Sequence, residues 1–342
     1  MRYIFDDRQQ AHAPKTFIVN GSPAPSPEGP FRADCLMSAL SESAHERVAA
    51  EEQDLGVLHE IHTPEYLTFL ENIAERWAHQ PNASEEVVPN VHPNGRRRGV
   101  GYPKSAAGQA GFHMADTACP ISPETWSAVR AGAATAVQAA DLVLSDGRPA
   151  YALCRPPGHH AFRDMAGGFC FLNNAAAAAQ KLRKTLDRIA IVDVDVHHGN
   201  GTQDVFYERA DVLTVSLHAD PIRFYPFFWG YADETGDGEG DGFNLNLPLE
   251  RGTGDDGFMA ALESACGRLD AFGAQALVIA LGLDAHESDP FQGLKITTGG
   301  FARIAKRLAQ LRLPTVLVQE GGYMSDALGG NLISFLDGFE NA

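Results

Sequence analysis

The chain has 342 residues, a hydrophobic content of 44%, a charged content of 21% and a formal net charge of −17. This length allows one large α/β domain or two average ones, and the composition is typical of a globular protein. The negative charge disfavours nucleic-acid binding, and no apolar run reaches the length of about eighteen residues that predicts a membrane span. The amino terminus lacks a signal-peptide core, so we expect a cytoplasmic protein with neither nucleic-acid nor membrane partners.

In the first half of the chain, two helices are predicted on either side of a long irregular segment. The first covers residues 64–76, and the second covers 122–144, where "SPETW" supplies a cap, a proline and an early acid. Between them, residues 80–116 are rich in proline, glycine and asparagine, which predicts a loop. Loops of that length inside a compact domain are usually functional or disordered.

From about residue 149 onward, short apolar runs alternate with helical patterns. The apolar runs show no alternation with polar residues, which favours a parallel sheet that is buried on both faces by helices. We therefore predict a single α/β domain over residues 1–342, with a parallel β-sheet sandwiched between helices. The strands are predicted at 150–154, 189–196, 212–217, 277–283 and 315–318, and the helices at 173–186, 202–209, 257–272 and 300–311.

The run "RIAIVDVDVHHGNGTQD" places Asp193, Asp195 and His197 at a spacing of two within a predicted buried strand. Side chains at that spacing share one face of a strand. Burying a carboxylate is costly unless it is paired or holds a metal, and parallel sheets carry their sites at the carboxyl ends of strands. A metal site is the favoured interpretation, with a hydrogen-bonded polar cluster as the alternative.

Three further strand ends carry polar residues. "LGLDAHESDP" delivers Asp284, "CRPPGHHA" delivers His159 and His160, and "VLVQEGGYMSD" delivers Tyr323. A ligand set of Asp195, His197 and Asp284 leaves an open position for water, as catalytic zinc sites do. Carboxylate-rich sites also accept iron, cobalt or manganese, so the sequence predicts the presence of a metal more firmly than its identity.

Taken together, "RPPGHHA", "GGFCFLNNAA", "DVDVHHGNGTQD", "SLHADP", "GDGEGDGFNLNLPL", "LGLDAHESDP" and "EGGYM" resemble the motifs of the zinc-dependent histone deacetylase superfamily, which has the arginase/deacetylase fold. "IHTPEYLTFL" fits the superfamily's amino-terminal part, so the resemblance covers residues from about 60 to 323. Within the superfamily, the chain is most similar to bacterial acetylpolyamine amidohydrolases.

The resemblance implies a role for each matching residue. It places one catalytic zinc ion per chain on Asp195, His197 and Asp284, and a carbonyl-polarising hydroxyl on Tyr323. It also implies that Asp193 orients the first histidine of the pair without binding zinc. Asp193, Ser216 and the backbone of Leu217 correspond to a structural potassium site, His159 and His160 to the paired histidines, and Gly168, Phe169 and Tyr225 to the substrate tunnel.

One position departs from the histone-directed members of the superfamily, which have an aspartate where this chain has Asn200. Asn200 would be the partner of His160, so the acid–base tuning of that histidine is not carried over with the resemblance. We expect His160 to be the general base and His159 to be its charged partner.

The implied activity is zinc-dependent removal of acetyl groups from acetylated polyamines, giving acetate and a free amine, with a small cationic acetylated amine as the substrate. Acetyl-lysine proteins or peptides are the alternative substrate. The resemblance also implies a homodimer in which segment 80–116 narrows the tunnel. An acid at the rim would pair with the distal ammonium, and the candidates are Asp116, Glu85 and Glu86.

Two other interpretations are disfavoured. A two-metal manganese ureohydrolase shares the fold, but it would need carboxylates where the sequence has Gly199 and His286. A non-catalytic module that binds acylated amines would not need Tyr323 together with both adjacent histidines.

Overall fold

A parallel sheet of eight strands forms the centre of the computed structural model, which describes residues 1–93 and 101–342. The order of strands in the sheet is β4-β1-β5-β10-β9-β6-β7-β8, while β2 and β3 form a separate antiparallel hairpin. In chain order the strands are β1 (Arg2–Ile4), β2 (Thr16–Val19), β3 (Ser22–Pro25), β4 (Glu46–Val48), β5 (Ala150–Ala152), β6 (Ile189–Asp193), β7 (Val212–Ala219), β8 (Asn244–Leu249), β9 (Ala276–Leu281) and β10 (Thr315–Gln319).

Helices cover both faces of the sheet. Several begin at capped positions, as where the side chain of Thr63 accepts a hydrogen bond from Tyr66 N–H, which satisfies a donor that the helix leaves free. The α-helices are α1 (Pro30–Ser41), α2 (Leu58–Ile61), α3 (Pro64–Ala78), α4 (Ala106–His113), α5 (Thr125–Asp146), α6 (Asn174–Arg183), α7 (Asn200–Phe206), α8 (Asp255–Phe272), α9 (Thr298–Ala309) and α10 (Leu328–Glu340).

Alternate residues of the central strands enter two separate hydrophobic cores. In β6, Ile189 and Ile191 pack with α3, α5 and α6 on one side of the sheet. Ala190 and Val192 pack with α1, α8, α9 and α10 on the other side. Both faces are therefore buried, which confirms the predicted parallel sheet between helices and explains why its strands are continuously apolar.

Three predicted strands, at 150–154, 189–196 and 277–283, run past their observed ends, and the second of them matters most for the site. The strand expected at 189–196 ends at Asp193, so Asp195 and His197 lie in the turn that follows it. The backbone N–H groups of these residues donate to the carboxylates of Asp193 and Asp195, at 3.0 and 2.9 Å. Side chains have replaced the neighbouring strand as partners, which ends the regular pairing.

The loop predicted at 80–116 is also partly wrong, because α4 occupies residues 106–113. Ser105 begins this helix by accepting a hydrogen bond from Gly108 N–H at 3.1 Å. Residues 94–100 of the same segment lie outside the described residues. In the described chain, no helix has both the length and the apolar composition needed to cross a membrane.

Candidate active site

The candidate site lies at the carboxyl ends of the four adjacent strands β5, β10, β9 and β6. The turn after β5 carries His159 and His160, and the turn after β10 carries Tyr323. The turns after β9 and β6 carry the predicted metal ligands. These strands are far apart in the sequence, and their neighbouring places in the sheet bring the polar residues together at one edge.

The predicted ligands Asp195, His197 and Asp284 are buried and converge, with one ligand atom of each lying within 4.8 Å of the others. Nδ1 of His197 is 3.0 Å from Oδ1 of Asp195 and 3.2 Å from Oδ2 of Asp284. Burial lowers the pKa of His197, but the two neighbouring carboxylates outweigh burial and raise it to about 9. The two carboxylates therefore favour a positive charge next to them, at Nδ1 of His197.

Backbone groups orient the two carboxylates. Asp195 accepts a hydrogen bond from Gly321 N–H at 2.8 Å, and Asp284 accepts one from Val196 N–H at 3.0 Å. Glycine is required at position 321, because a Cβ there would lie 2.1 Å from Oδ2 of Asp284 and 2.5 Å from Oδ2 of Asp195. The "EGGY" turn thus lies directly against both acids.

A divalent metal ion fits this arrangement. Oδ2 of Asp284 is buried and accepts no hydrogen bond among the described residues, although its partner oxygen does. Leaving such an atom without a partner is costly, and a cation relieves that cost. Burial and the negative charge of Asp195 raise the pKa of Asp284 to about 6, so a cation here would stabilise its ionised form. One imidazole and two carboxylates are ordinary zinc ligands.

The paired histidines have different partners. Nδ1 of His159 lies 2.8 Å from Oδ2 of Asp193, the partner that the family resemblance implied, and Nδ1 of His160 lies 2.7 Å from Oδ1 of Asn200. An amide oxygen can only accept, so Nδ1 of His160 carries the proton and Nε2 has the free electron pair. That assignment leaves Nε2 able to take up a proton.

The charges of His159 and His160 differ as well. Burial lowers the pKa of His159, but the carboxylates of Asp193 and Asp195 outweigh it and raise it to about 10. Burial, and then the positive charges of His159 and His197, hold the pKa of His160 well below its usual value. The pair thus consists of a charged imidazole and a neutral one, which divides electrostatic and acid–base roles between them.

Tyr323 is buried beside the metal ligands. Its ring lies edge-on to Phe291 at 4.7 Å and to Phe169 at 5.9 Å, and the guanidinium of Arg32 lies 4.9 Å from its centre. Burial raises the pKa of Tyr323 well above its usual value. The hydroxyl therefore keeps its proton at neutral pH and remains a hydrogen-bond donor.

Asp289, which no sequence pattern indicated, supports the backbone of Tyr323 and of Phe291. Its Oδ2 accepts from Tyr323 N–H at 3.0 Å, and its Oδ1 accepts from Phe291 N–H at 2.9 Å. The residue stands in "DAHESDP", but only the fold shows that it meets a residue 34 positions away. Glu320 was missed too, and its carboxylate accepts from the backbone N–H of Gly158 and of His159.

A cavity of about 570 Å³ leads from the candidate site to the surface. The residues that line it include His160, His197 and Tyr323 of the candidate site. They also include the predicted tunnel residues Gly168, Phe169 and Tyr225. The ring of Tyr225 stands edge-on to His160 at 5.0 Å. Aromatic walls of this kind suit a slender apolar chain.

Part of that wall comes from the hairpin β2–β3, which the sequence analysis did not predict. Phe17 of this hairpin packs edge-on against Phe169 at 5.7 Å, and Ile18 also lines the cavity. A signal was present, since Asn20-Gly21 between short apolar stretches is typical of a tight hairpin turn. Both residues adopt positive φ, 50° and 81°, as that turn requires.

The three candidate rim acids are engaged within the chain. Glu85 pairs with the ammonium group of Lys15, and Glu86 accepts from Lys15 N–H at 3.1 Å. Asp116 lines the cavity, but its carboxylate accepts from Tyr225 O–H at 2.7 Å and from Gly168 N–H at 3.1 Å.

The predicted potassium ligands also lie side by side, since Asp193 and Ser216 occupy paired positions of β6 and β7. Oγ of Ser216 is 2.8 Å from Nδ1 of His218, whose Nε2 is 2.8 Å from the carbonyl of Gly230. Because Nε2 must carry the proton that reaches this carbonyl, Nδ1 accepts from the Ser216 hydroxyl. The serine oxygen keeps its electron pairs for a cation.

Comparison with known proteins agrees with this geometry. The model of the family described as histone deacetylase domain matches residues 26–338, which is most of the chain. The chain belongs to the histone deacetylase family. Within the family it is 41% identical to acetylpolyamine amidohydrolase 1 of Pseudomonas aeruginosa, over 100% of this chain and 99% of the relative. It is 42% identical to acetylpolyamine amidohydrolase of Burkholderia pseudomallei, over 99% of this chain and 98% of the relative.

The fold agrees with the same family. A crystal structure of acetylpolyamine aminohydrolase from Burkholderia pseudomallei is similar with a TM-score of 0.95 and 40% identity, over 99% of this chain and 98% of the other. The HD domain of HDA15 is similar with a TM-score of 0.83 and 26% identity, over 100% of this chain and 91% of the other.

Proposed function

We propose that this member of the histone deacetylase family is a zinc-dependent amidohydrolase, which removes acetyl groups from small acetylated polyamines and releases acetate and a free amine. The observation that carries the proposal is the cluster of Asp195, His197 and Asp284 beside one neutral and one charged histidine at the inner end of an aromatic tunnel. Full-length similarity to proteins named acetylpolyamine amidohydrolases supports the polyamine as substrate.

The metal would be held by Nδ1 of His197 and by the carboxylates of Asp195 and Asp284. A bound zinc ion lowers the pKa of water to about 7 and polarises a carbonyl, which are the two requirements of amide hydrolysis. We favour one such ion per chain.

Proton transfer falls to His160. Its neutral Nε2 accepts the proton of the attacking water and then passes it to the leaving nitrogen, which leaves poorly without one. Asn200 keeps Nδ1 protonated and so directs Nε2 to the reaction. His159, charged and held by Asp193, stabilises the negative charge that develops nearby.

Tyr323 stabilises the carbonyl oxygen as it becomes an oxyanion. Its raised pKa keeps the hydroxyl protonated. The hydrogen bond that its backbone N–H donates to Asp289 fixes the turn on which Tyr323 stands. A donor that is already oriented toward developing charge has no reorganisation cost at the moment of reaction.

Substrate selection follows from the tunnel. The carbonyl of Gly168 would accept the N–H of the substrate amide, and Phe169 and Tyr225 would enclose the methylene chain. Asp116 belongs to the same wall.

A potassium ion would be held behind the site by Asp193, Ser216 and the backbone of Leu217. We further propose a homodimer in which the 80–116 segment narrows the tunnel, within a single domain of 342 residues, and a cytoplasmic location.

The test is a substrate panel on the purified zinc form. We expect acetate release from acetylputrescine, acetylcadaverine and acetylspermidine to exceed release from acetyl-lysine peptides. Higher activity on the peptides, together with a monomer in solution, would replace the polyamine with a protein substrate. No acetate from any acetylated amine would reject the function itself.

A further inference from the structure

We propose that Asp116 is a positioning residue, which ties the two sides of the tunnel together and does not itself bind the distal ammonium of the substrate. This inference rests on the proposed deacetylase function. It concerns the side chain for which the sequence suggested a direct ionic contact with the substrate.

The carboxylate of Asp116 already makes three hydrogen bonds within the chain. Oδ2 accepts from Tyr225 O–H at 2.7 Å and from Gly168 N–H at 3.1 Å, while Oδ1 accepts from Ala118 N–H at 2.8 Å. A carboxylate offers about four acceptor positions, so most of its capacity is used. Two of these bonds come from residues that line the cavity, Tyr225 and Gly168.

The first side is a tight turn that needs support. Gly167 and Cys170 exchange both backbone hydrogen bonds, at 3.1 and 2.8 Å, with Gly168 and Phe169 at the tip. Phe169 adopts φ 71°, a left-handed conformation that costs a residue other than glycine about 1–3 kcal/mol. Asp116 satisfies the N–H of Gly168 at the tip of this strained turn.

The same turn lies directly against the candidate general base. A Cβ on Gly168 would lie 2.4 Å from Cδ2 of His160 and 2.9 Å from the hydroxyl of Tyr225. Because the space between these groups is so small, a shift of the turn moves both the carbonyl that receives the substrate amide and the ring beside it. The bond from Asp116 therefore controls the geometry of the reaction.

The second side is the ring of Tyr225, which stands edge-on to His160 at 5.0 Å and to His197 at 6.1 Å. A phenylalanine would supply the same wall, so the hydroxyl serves another purpose. Its bond to Asp116 connects this ring to the turn at Gly168. With the connection in place, the width of the tunnel is fixed at both walls.

The surroundings argue against an ammonium ligand at Asp116. Apart from Asp116 and the histidines, the charged side chain that lines the same cavity is that of the exposed Arg223, which repels a cation. A substrate ammonium would also find only about one of the four acceptor positions of the Asp116 carboxylate free.

The test compares acetylputrescine with N-pentylacetamide, which replaces the terminal ammonium by a methyl group. We expect Asp116→Ala to lower kcat by about tenfold or more on both substrates, with the ratio of the two kcat/KM values unchanged within about threefold. A loss confined to the KM of acetylputrescine would overturn the proposal and make Asp116 an ammonium ligand.

Two milder variants separate geometry from charge. Asp116→Asn removes the charge but leaves one acceptor oxygen for Tyr225 O–H and Gly168 N–H, giving up only the bond from Ala118 N–H, so we expect it to retain most activity on both substrates. If Asp116 were an ammonium ligand, Asp116→Asn would instead lose as much activity on acetylputrescine as Asp116→Ala.

Tyr225→Phe should lower kcat on both substrates. It should add little to the effect of Asp116→Ala, since both changes break the same connection. Additive effects, or full activity in Tyr225→Phe and Asp116→Ala, would contradict the proposal.

Asp54→Ala is the matched control, because Asp54 is an exposed acid that also accepts the N–H two residues further on. It should leave kcat and KM unchanged. Melting temperatures show whether each variant folds, and Asp116→Asn and Tyr225→Phe keep the test decisive if the alanine variant does not. Wild-type protein inactive on both amines would reject the proposed function, which is a different result from every outcome above.

Discussion

The inner end of the tunnel and its rim are built in opposite ways. At the inner end, Asp195 and Asp284 are 0% exposed, and backbone N–H groups from neighbouring turns fix their orientation. At the rim, Phe228 is 75% exposed and Ile18 is 40% exposed, on a surface loop and on a two-stranded hairpin. The reactive groups therefore lie on buried turns at the edge of the sheet, while the groups that meet the substrate's tail lie on segments with less support.

This difference orders the expected effects of mutation. Changes at the inner end should abolish the reaction without altering which substrate enters. Changes at the rim should alter substrate binding and leave the chemistry nearly intact.

The largest effect is expected from Asp284→Ala. The variant removes the carboxylate whose Oδ2 lacks a hydrogen bond in the described chain, so we expect metal content to fall from about one ion per chain to near zero and turnover to fall to background. Elemental analysis of the purified variant measures the first, and acetate release measures the second. Unchanged metal content, or two catalytic ions in the wild type, would show that the ligand set is wrong.

Tyr323→Phe should have the next largest effect and should separate binding of the metal from catalysis. The change removes one hydroxyl and leaves the ring packed against Phe291 and Phe169. We expect metal content and melting temperature to stay as in the wild type, while kcat falls by about 10²–10³. Activity within tenfold of the wild type would make Tyr323 a packing residue.

A smaller effect at the inner end concerns pH and the position where this chain departs from the histone-directed proteins. Asn200→Asp places a negative charge 2.7 Å from Nδ1 of His160 and favours its protonated form, which raises a pKa that burial and neighbouring positive charge hold well below the usual value. A base must be unprotonated, so the acidic limb of the kcat/KM profile should move to higher pH.

Profiles of wild type and Asn200→Asp between pH 5 and 9 check this expectation. Asn200→Ala serves as the control that removes the partner without adding charge, and its acidic limb should not move upward. An identical limb in all three proteins would mean that another group sets it.

The same contrast explains how much of the structure the sequence could predict. The residues at the inner end were predictable, because carboxylates and imidazoles directly after apolar strands are conspicuous and are costly to bury unless they hold a metal or one another. The hydrogen bonds that hold these residues in place were not predictable. Strand β6 ends at Asp193 because side chains take over the backbone hydrogen bonds of Asp195 and His197, a competition that no hydrophobic pattern records.

The tunnel wall and the rim were less predictable because their contacts join distant parts of the chain. Asp116 meets Tyr225 across 109 positions, and nothing in "FHMADTACPIS" distinguishes an acid that holds a tyrosine from one that faces solvent. Glu85 and Glu86 looked like ligands for a cation, yet both hold Lys15 at the base of the hairpin. Charge in the sequence shows which partners are attractive, but only the fold shows which are within reach.

The smallest effect is expected from Phe17→Ala at the rim. Phe17 packs edge-on against Phe169 at 5.7 Å, and the hairpin that carries it is otherwise largely exposed. Two strands alone are marginally stable, and an aromatic pair contributes about 0.5–1.5 kcal/mol beyond buried area. We therefore expect KM for acetylputrescine to rise by about 2–10-fold while kcat changes little.

Val19→Ala is the matched control, since Val19 lies on the same strand and is 38% exposed without lining the cavity. This control should leave KM unchanged. Steady-state kinetics on both variants distinguish the outcomes. A fall in kcat with unchanged KM would place Phe17 with the inner end of the tunnel and would break the division between the two regions.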